Sequence, residues 1–295
     1  MTMNLNGIFP ACVTPFDEAG NVAPQKFAEN VARWEQAGLH GYLVLGSTGE
    51  FQYLDEPERN AMLAAARKAI PSHKTMMVGA GHETTRTTIK YCKQAAEFGA
   101  DCVLVVTPVY YTRGKEDAQR RFFLDVADAS PIPVLIYNVP PFTAYNLTPD
   151  FVAKLSEHPN IVGIKDSAGD AGQIADTVRL SQKDFAVFTG GARVVYQSLA
   201  MGARGAILAS ANPLGAQFAQ IYETFKCGDH ARAAQLQHET RAVEAQLAAF
   251  GIAGWKAALD VLGWYGGDPR LPILPLDAAA KAKVTGIMQS VMAQM

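Results

Sequence analysis

Ile161-Val162-Gly163-Ile164-Lys165-Asp166-Ser167 reads as a short buried β-strand that ends in a lysine. Four apolar residues in a row, two of them Ile and one Val, fit a strand covered on both faces, as in a parallel sheet. Lysine is among the residues least often buried, because desolvating an ammonium is costly. Lys165 is therefore either a solvated residue just past the strand or an interior amine. Desolvation favours the neutral, nucleophilic form of a lysine, and that is the chemistry of a Schiff-base enzyme.

Outward from this stretch the same unit recurs. A strand-like run, a turn and a helix-period segment follow one another eight times. The strand-like runs are Gly7–Pro15, Gly41–Thr48, Thr75–Gly81, Asp101–Val109, Val134–Pro140, Ile161–Ser167, Phe185–Gly191 and Gly205–Asn212. The helix after the second run starts at Asp55 as N-cap, with Pro57 in its first turn and Glu58 at the capping-box position. Gly38 and Gly99 stop the helices before them, and Thr84 opens one. Eight unbroken units predict an α/β (β/α)8 TIM barrel; an open doubly wound sheet is the competing architecture. Beyond about Gly228 the strand signal ends, and an Ala- and Gln-rich helical tail follows. The expected division is a barrel over 1–226 and a C-terminal helical appendage over 227–295.

Composition narrows the function classes. The chain has 295 residues, almost half of them hydrophobic, and a net charge of −2. That balance gives no footing for nucleic acid or an anionic membrane as partner. No apolar run is long enough to span a bilayer, and the N-terminus lacks the pattern of a signal peptide. Cys12, Cys92, Cys102 and Cys227 are widely spaced, which fits reduced thiols in a cytoplasmic protein. The histidines show no metal-ligand spacing, so no metal is expected, and no organic cofactor is signalled. Gly79-Ala80-Gly81-His82-Glu83-Thr84 is superficially similar to a dinucleotide loop but lacks the third glycine.

In a barrel the active site lies at the C-terminal ends of the strands. Gly46-Ser47-Thr48-Gly49-Glu50, Thr107-Pro108-Val109-Tyr110-Tyr111, Tyr137-Asn138-Val139-Pro140 and Ser210-Ala211-Asn212-Pro213 stand there beside Lys165. The fifth and sixth runs are neighbours, so Tyr137 and Lys165 can face each other. An amine nucleophile beside a proton-relaying phenol suits carbinolamine formation and collapse. Ser47 and Thr48 offer hydroxyls for a carboxylate or a proton, or are simply turn residues. Tyr137 and the Tyr110-Tyr111 pair also have plain readings as packed or interface aromatics. Asp166 and Asp170 are expected to solvate the loop or cap the next helix.

The motifs Gly46–Glu50, Tyr137–Pro140 and Ile164–Ser167, in this order, resemble the dihydrodipicolinate synthase / N-acetylneuraminate lyase family. The resemblance spans essentially the whole chain. It implies a (β/α)8 barrel, a class I pyruvate aldolase or related lyase, and a homotetramer built as a dimer of dimers. It implies that Lys165 forms the Schiff base with pyruvate or another 2-keto acid and that Tyr137 relays protons. Ser47 and Thr48 match the positions that bind the keto-acid carboxylate and build the hydroxyl relay. Tyr110 matches a tyrosine lent by a neighbouring subunit. Gly190 and Ile207 match backbone positions lining the keto-acid pocket.

Within the family, synthases that use aspartate semialdehyde carry an arginine in the loop after the strand-five tyrosine. Here the loop is Pro140-Pro141-Phe142-Thr143-Ala144, and Phe142 stands in that place. Phenylalanine cannot form a bidentate pair with a carboxylate. Ser130–Pro133, Lys165–Asp170, Phe250–Gly254 and Gly263–Gly267 look closer to 4-hydroxy-2-oxoglutarate aldolases. The expected reaction is therefore cleavage of a 4-hydroxy-2-oxo acid, such as 4-hydroxy-2-oxoglutarate, to pyruvate and an aldehyde. Alternatives are 4-hydroxy-tetrahydrodipicolinate synthase, a sugar-acid aldolase or dehydratase, and a non-catalytic keto-acid-binding protein.

Overall fold

The structure, a computed structural model, describes residues 3–293. Strands and helices alternate as the periodicity predicts. β1 (Gly7–Pro10) leads to α1 (Pro24–Gln36), β2 (Gly41–Val44) to α2 (Glu56–Ala69), β3 (Thr75–Gly79) to α3 (Thr85–Glu97) and β4 (Cys102–Val106) to α4 (Glu116–Ala129). β5 (Val134–Asn138) is followed by one short turn of helix, α5 (Pro140–Thr143), and then α6 (Pro149–Ser156). β6 (Ile161–Asp166) leads to α7 (Ala171–Leu180), β7 (Ala186–Thr189) to α8 (Val195–Ala200) and β8 (Gly205–Leu208) to α9 (Gly215–Lys226). α10 (His230–Ala248), α11 (Gly251–Val261) and α12 (Ala278–Met292) form the helical tail.

The sheet order is β1-β8-β7-β6-β5-β4-β3-β2. A doubly wound sheet reverses its strand order at a switch point; this order runs without reversal. A parallel bridge between Ala11 and Leu43 joins the chain just past β1 to β2. The fold is a (β/α)8 barrel, and the open-sheet alternative falls.

Two compact units make up the chain. One holds Thr75–Ile207 with the N-terminal stretch up to Gly7. Its strands β3 to β8 pair in parallel, each with the next. Val78, Val103, Val105, Ile136 and Phe188 are fully buried there, the continuous apolar filling of a sheet covered on both faces. The other unit holds Ile8–Lys74 and the chain from Leu208 onward. Trp34 on α1 is fully buried, and its indole N–H donates to the Asn212 carbonyl (3.0 Å). The Asn212 side chain accepts from Val13 N–H (3.1 Å) and donates to the Ala11 carbonyl (2.8 Å). One buried amide in the turn after β8 thus satisfies backbone groups of the segment after β1.

Helix ends follow the sequence closely. Asp55 accepts from Glu58 N–H (2.9 Å), and the Glu58 carboxylate accepts from Asp55 N–H (3.0 Å), completing the capping box. Thr84 caps α3, and Gly38 and Gly99 take the positive φ that ends α1 and α3. Strand ends are shorter than the apolar runs that announce them. β2 stops at Val44, because Leu45 turns into the left-handed region (φ 58°). Hydrophobicity persists past the last ladder bond, since the loops at this end also pack inward.

All four cysteines are unpaired; Cys12, Cys92 and Cys102 are buried and Cys227 is exposed. Among the described residues no helix is long and apolar enough to cross a membrane.

Candidate active site

Lys165 is the last residue but one of β6 and is only 5% exposed. It is an interior amine, not a solvated strand end. β5 and β6 pair in parallel with Tyr137 opposite Lys165. The lysine Nζ stands 4.4 Å from the centre of the Tyr137 ring. The ring gives the amine an apolar, electron-rich neighbour in place of water. Tyr137 is itself buried. The two side chains that the strand register was expected to juxtapose do meet.

Asp166 follows on the opposite face of the strand, as the two-residue period requires. It is buried rather than solvating the loop as expected. Its carboxylate accepts from Ala168 N–H (2.8 Å) and from the Gln173 amide (2.6 Å). Burial pushes this carboxyl up, against the opposing effect of hydrogen bonds from Ala168, Gln173 and Asn138. Asp170 behaves as expected and caps α7, accepting from Gly172 and Gln173 N–H (2.8 and 3.3 Å). Asn138 ties the end of β5 into the same region: its carbonyl accepts from Ser167 N–H (2.9 Å) and its side-chain oxygen from Leu147 N–H (3.1 Å).

Gly190, just past β7, sits where no side chain fits. A Cβ there would lie 1.9 Å from Ser167 Oγ and 3.1 Å from Lys165 Cε. Its N–H donates to the Asp166 carbonyl (2.6 Å). The glycine backbone therefore borders the lysine directly. Ser167 joins the group as a hydroxyl at the same spot, a residue that sequence reasoning quoted but did not single out. Ile207 lies on β8 and is fully buried.

Tyr110 is not gathered into this cluster. It is 78% exposed, as is Tyr111, and the two rings pack edge to face with centroids 4.8 Å apart. Its segment is nevertheless held in place. The Glu83 carboxylate accepts from Val109 N–H (3.1 Å) and Tyr110 N–H (2.9 Å). Glu83 escaped the sequence reading, because a glutamate beside a glycine-rich turn carries no sign of a partner more than twenty residues away.

Ser47 and Thr48 do not end a strand, as the sequence suggested. They form a single 3-10 turn, Ser47–Gly49, between Leu45 and Glu50, both at positive φ (58° and 55°). Thr48 is buried. The turn is pinned at Gly49, whose carbonyl accepts from Thr14 Oγ1 (2.7 Å). A Cβ on Gly49 would lie 2.9 Å from the Cys12 carbonyl.

In the loop after β5, Phe142 on α5 is 72% exposed. Thr143 in the same loop is buried, and its hydroxyl lies within bonding distance of the Val139 and Tyr145 carbonyls (3.1 and 2.8 Å). It is committed to its own loop. Among the described residues no group of three His, Cys, Asp or Glu is placed to hold a metal ion.

A barrel with a buried strand-end lysine against a tyrosine defines the class of Schiff-base lyases. The dihydrodipicolinate synthetase family profile matches residues 4–291, and the chain belongs to that family. It is a Schiff-base, pyruvate-using lyase. A relative from Bacillus velezensis, 4-hydroxy-tetrahydrodipicolinate synthase, is 31% identical over 97% of this chain and 99% of its own. The structure of dihydrodipicolinate synthase DapA-2 from Bacillus anthracis matches with a TM-score of 0.91 and 28% identity, covering 98% of this chain and 99% of that one. YagE, a prophage protein of the same family from E. coli K12 solved in complex with pyruvate, matches with a TM-score of 0.91 and 28% identity over 97% and 98% of the two chains. The relatives carry the synthase name, where Phe142 and the stretches Ser130–Pro133, Lys165–Asp170, Phe250–Gly254 and Gly263–Gly267 had pointed to 4-hydroxy-2-oxoglutarate aldolases.

Proposed function

We propose that Lys165 is the amine that captures pyruvate. The observation that carries this is its burial at the end of β6, with Nζ 4.4 Å from the Tyr137 ring centre. The neutral amine attacks the ketone carbon to give a carbinolamine. Tyr137 passes the proton with which the hydroxyl leaves as water, and a protonated imine remains. That imine is an electron sink: it acidifies the adjacent methyl group, and loss of a methyl proton gives an enamine. The enamine carbon then attacks an aldehyde carbonyl, which takes up a proton; in reverse, the same carbon–carbon bond breaks and releases the aldehyde. The family resemblance gives Ser47 and Thr48 the keto-acid carboxylate and a hydroxyl relay, and gives the backbone at Gly190 and Ile207 the pocket lining. The glycine at 190 supports its share of this, since it borders Lys165 Cε with nothing between.

Two aldehydes are in play. The names of the relatives support condensation of pyruvate with aspartate semialdehyde to 4-hydroxy-tetrahydrodipicolinate. The one observation that favours cleavage of a 4-hydroxy-2-oxo acid is Phe142, exposed on α5 where a synthase carries its carboxylate-binding arginine. We take the synthase as the better supported and the aldolase as its competitor. The same proposal covers a homotetramer in which Tyr110 serves a neighbouring subunit, supported by its 78% exposure. It also covers a cytoplasmic setting, supported by four unpaired cysteines.

The first test is borohydride reduction in the presence of pyruvate, read by peptide mass. A reduced pyruvyl adduct on Lys165, absent from Lys165→Ala, is the expected result. A folded wild type that takes no adduct would sink the proposal. Parallel assays then separate the aldehydes: consumption of pyruvate with aspartate semialdehyde for the synthase, release of pyruvate from 4-hydroxy-2-oxoglutarate for the aldolase.

A further inference from the structure

A second lysine is buried more deeply than Lys165 and has no place in the chemistry above. Lys256 on α11 is fully buried, and its Nζ donates to Glu50 Oε1 at 2.8 Å with neither side chain exposed. The same Nζ donates to the Asp268 carbonyl (3.1 Å) and stands 4.4 Å from the centre of the Phe16 ring. Glu50 spends its other oxygen on Arg270 N–H (2.8 Å). The backbone of Gly266 lies so close to α11 that a Cβ would fall 1.9 Å from the Lys256 carbonyl.

Glu50 is the residue that closes the Ser47–Gly49 turn. Its N–H donates to the Ser47 carbonyl (3.0 Å), and it holds a left-handed backbone that a residue with a side chain rarely adopts. Such a conformation persists only where its surroundings over-determine it. Lys256 and Arg270 N–H supply that determination from the helical tail, and the Thr14 hydroxyl supplies it from the β1 side.

We infer that the buried Glu50–Lys256 pair is a positioning device through which the C-terminal helices fix the Ser47–Thr48 turn for its work on the keto acid. A buried ion pair is a weak source of stability and can often be exchanged for apolar groups without loss of fold. What an uncharged pair does not supply is the directed two-ended hold on the carboxylate of a strained residue. Lys256 and Glu50 are positioning residues; neither touches substrate. The inference rests on the assignment of Ser47 and Thr48 to the keto acid made above.

The test removes both charges together. Glu50→Gln with Lys256→Met avoids the uncompensated charge that either change alone leaves in the interior. The double variant is expected to unfold close to the wild-type temperature, while its KM for pyruvate rises about ten-fold and its rate of borohydride-trapped adduct formation falls by a similar factor. Glu50→Asp, which keeps the charge but shortens the arm, is the second variant and is expected to raise KM in the same direction with less change in kcat. A double variant that traps pyruvate at the wild-type rate would reduce the pair to a packing element, and wild-type kinetics in Glu50→Asp would do the same if the double variant did not fold. A wild type that forms no adduct would remove this inference together with the proposed function. A wild-type adduct lost in Lys165→Ala, with an unimpaired double variant, would remove this inference alone.

Discussion

Gly190 shows how tightly single positions govern the site. Its missing side chain leaves the space in which Ser167 Oγ and Lys165 Cε lie. Gly190→Ala forces one of them aside, at a cost in stability of about 1–3 kcal/mol for overpacking. Pyruvate trapping is expected to fall much further than the melting temperature, because the added methyl crowds Ser167 and Cε of Lys165, the amine proposed to capture pyruvate. A variant that traps pyruvate normally would separate Gly190 from the pocket. Lys165 was legible because it ends an apolar run, where a charge is out of place. Lys256 was not: within Gly251–Val261 a single lysine among apolar residues resembles an ordinary polar face of a helix. Its partner Glu50 lies 206 residues earlier, and no local pattern links positions so far apart. Asp166 was misread for a related reason, since its carboxylate is held by Gln173 and Asn138 as well as by the nearby Ala168 N–H.

Among the elements, α2 has the most to report about local signals. Its capping box was readable because all its partners lie within four residues. Its second function was not. Glu58 also pairs with Arg270, whose guanidinium reaches both carboxylate oxygens (2.7 and 2.6 Å). The Arg270 hydrogen bond holds the Glu58 carboxyl below its usual value, and Glu58 in turn raises Arg270. A carboxylate depressed in the folded state adds stability that is fully present above the unfolded value, about 4.3. That stability is lost as pH falls through the lower folded value. Glu58→Gln is therefore expected to cost about 1 kcal/mol at neutral pH and to flatten the fall in melting temperature below about pH 4.3. Superimposable acid profiles for variant and wild type would show that the pair is without effect. The strand boundaries were the least legible part of the fold. Residues such as Leu45 and Val139 remain buried after the ladder has ended, so apolar content overstates strand length.

For the whole molecule the rhythm of eight units favoured the barrel over an open doubly wound sheet, which alternates strand and helix as well, and the strand order decided between them. Assembly is another matter, because surfaces that meet another copy carry no period. Tyr110 and Tyr111 form an exposed aromatic pair on a segment anchored by Glu83. If Tyr110 completes a neighbouring site, specific activity should fall as dilution drives the protein to monomer. Flat specific activity across a series in which sedimentation shows monomer would refute that role. The cysteines carry a practical corollary. Burial raises the thiols of Cys12 and Cys102 and brings Cys92 up to about 12, whereas Cys227 lies exposed at the end of α9. The folded chain thus offers one addressable handle for a dye or a surface tether, and the appearance of additional maleimide-reactive groups becomes a stoichiometric gauge of how far its interior has opened.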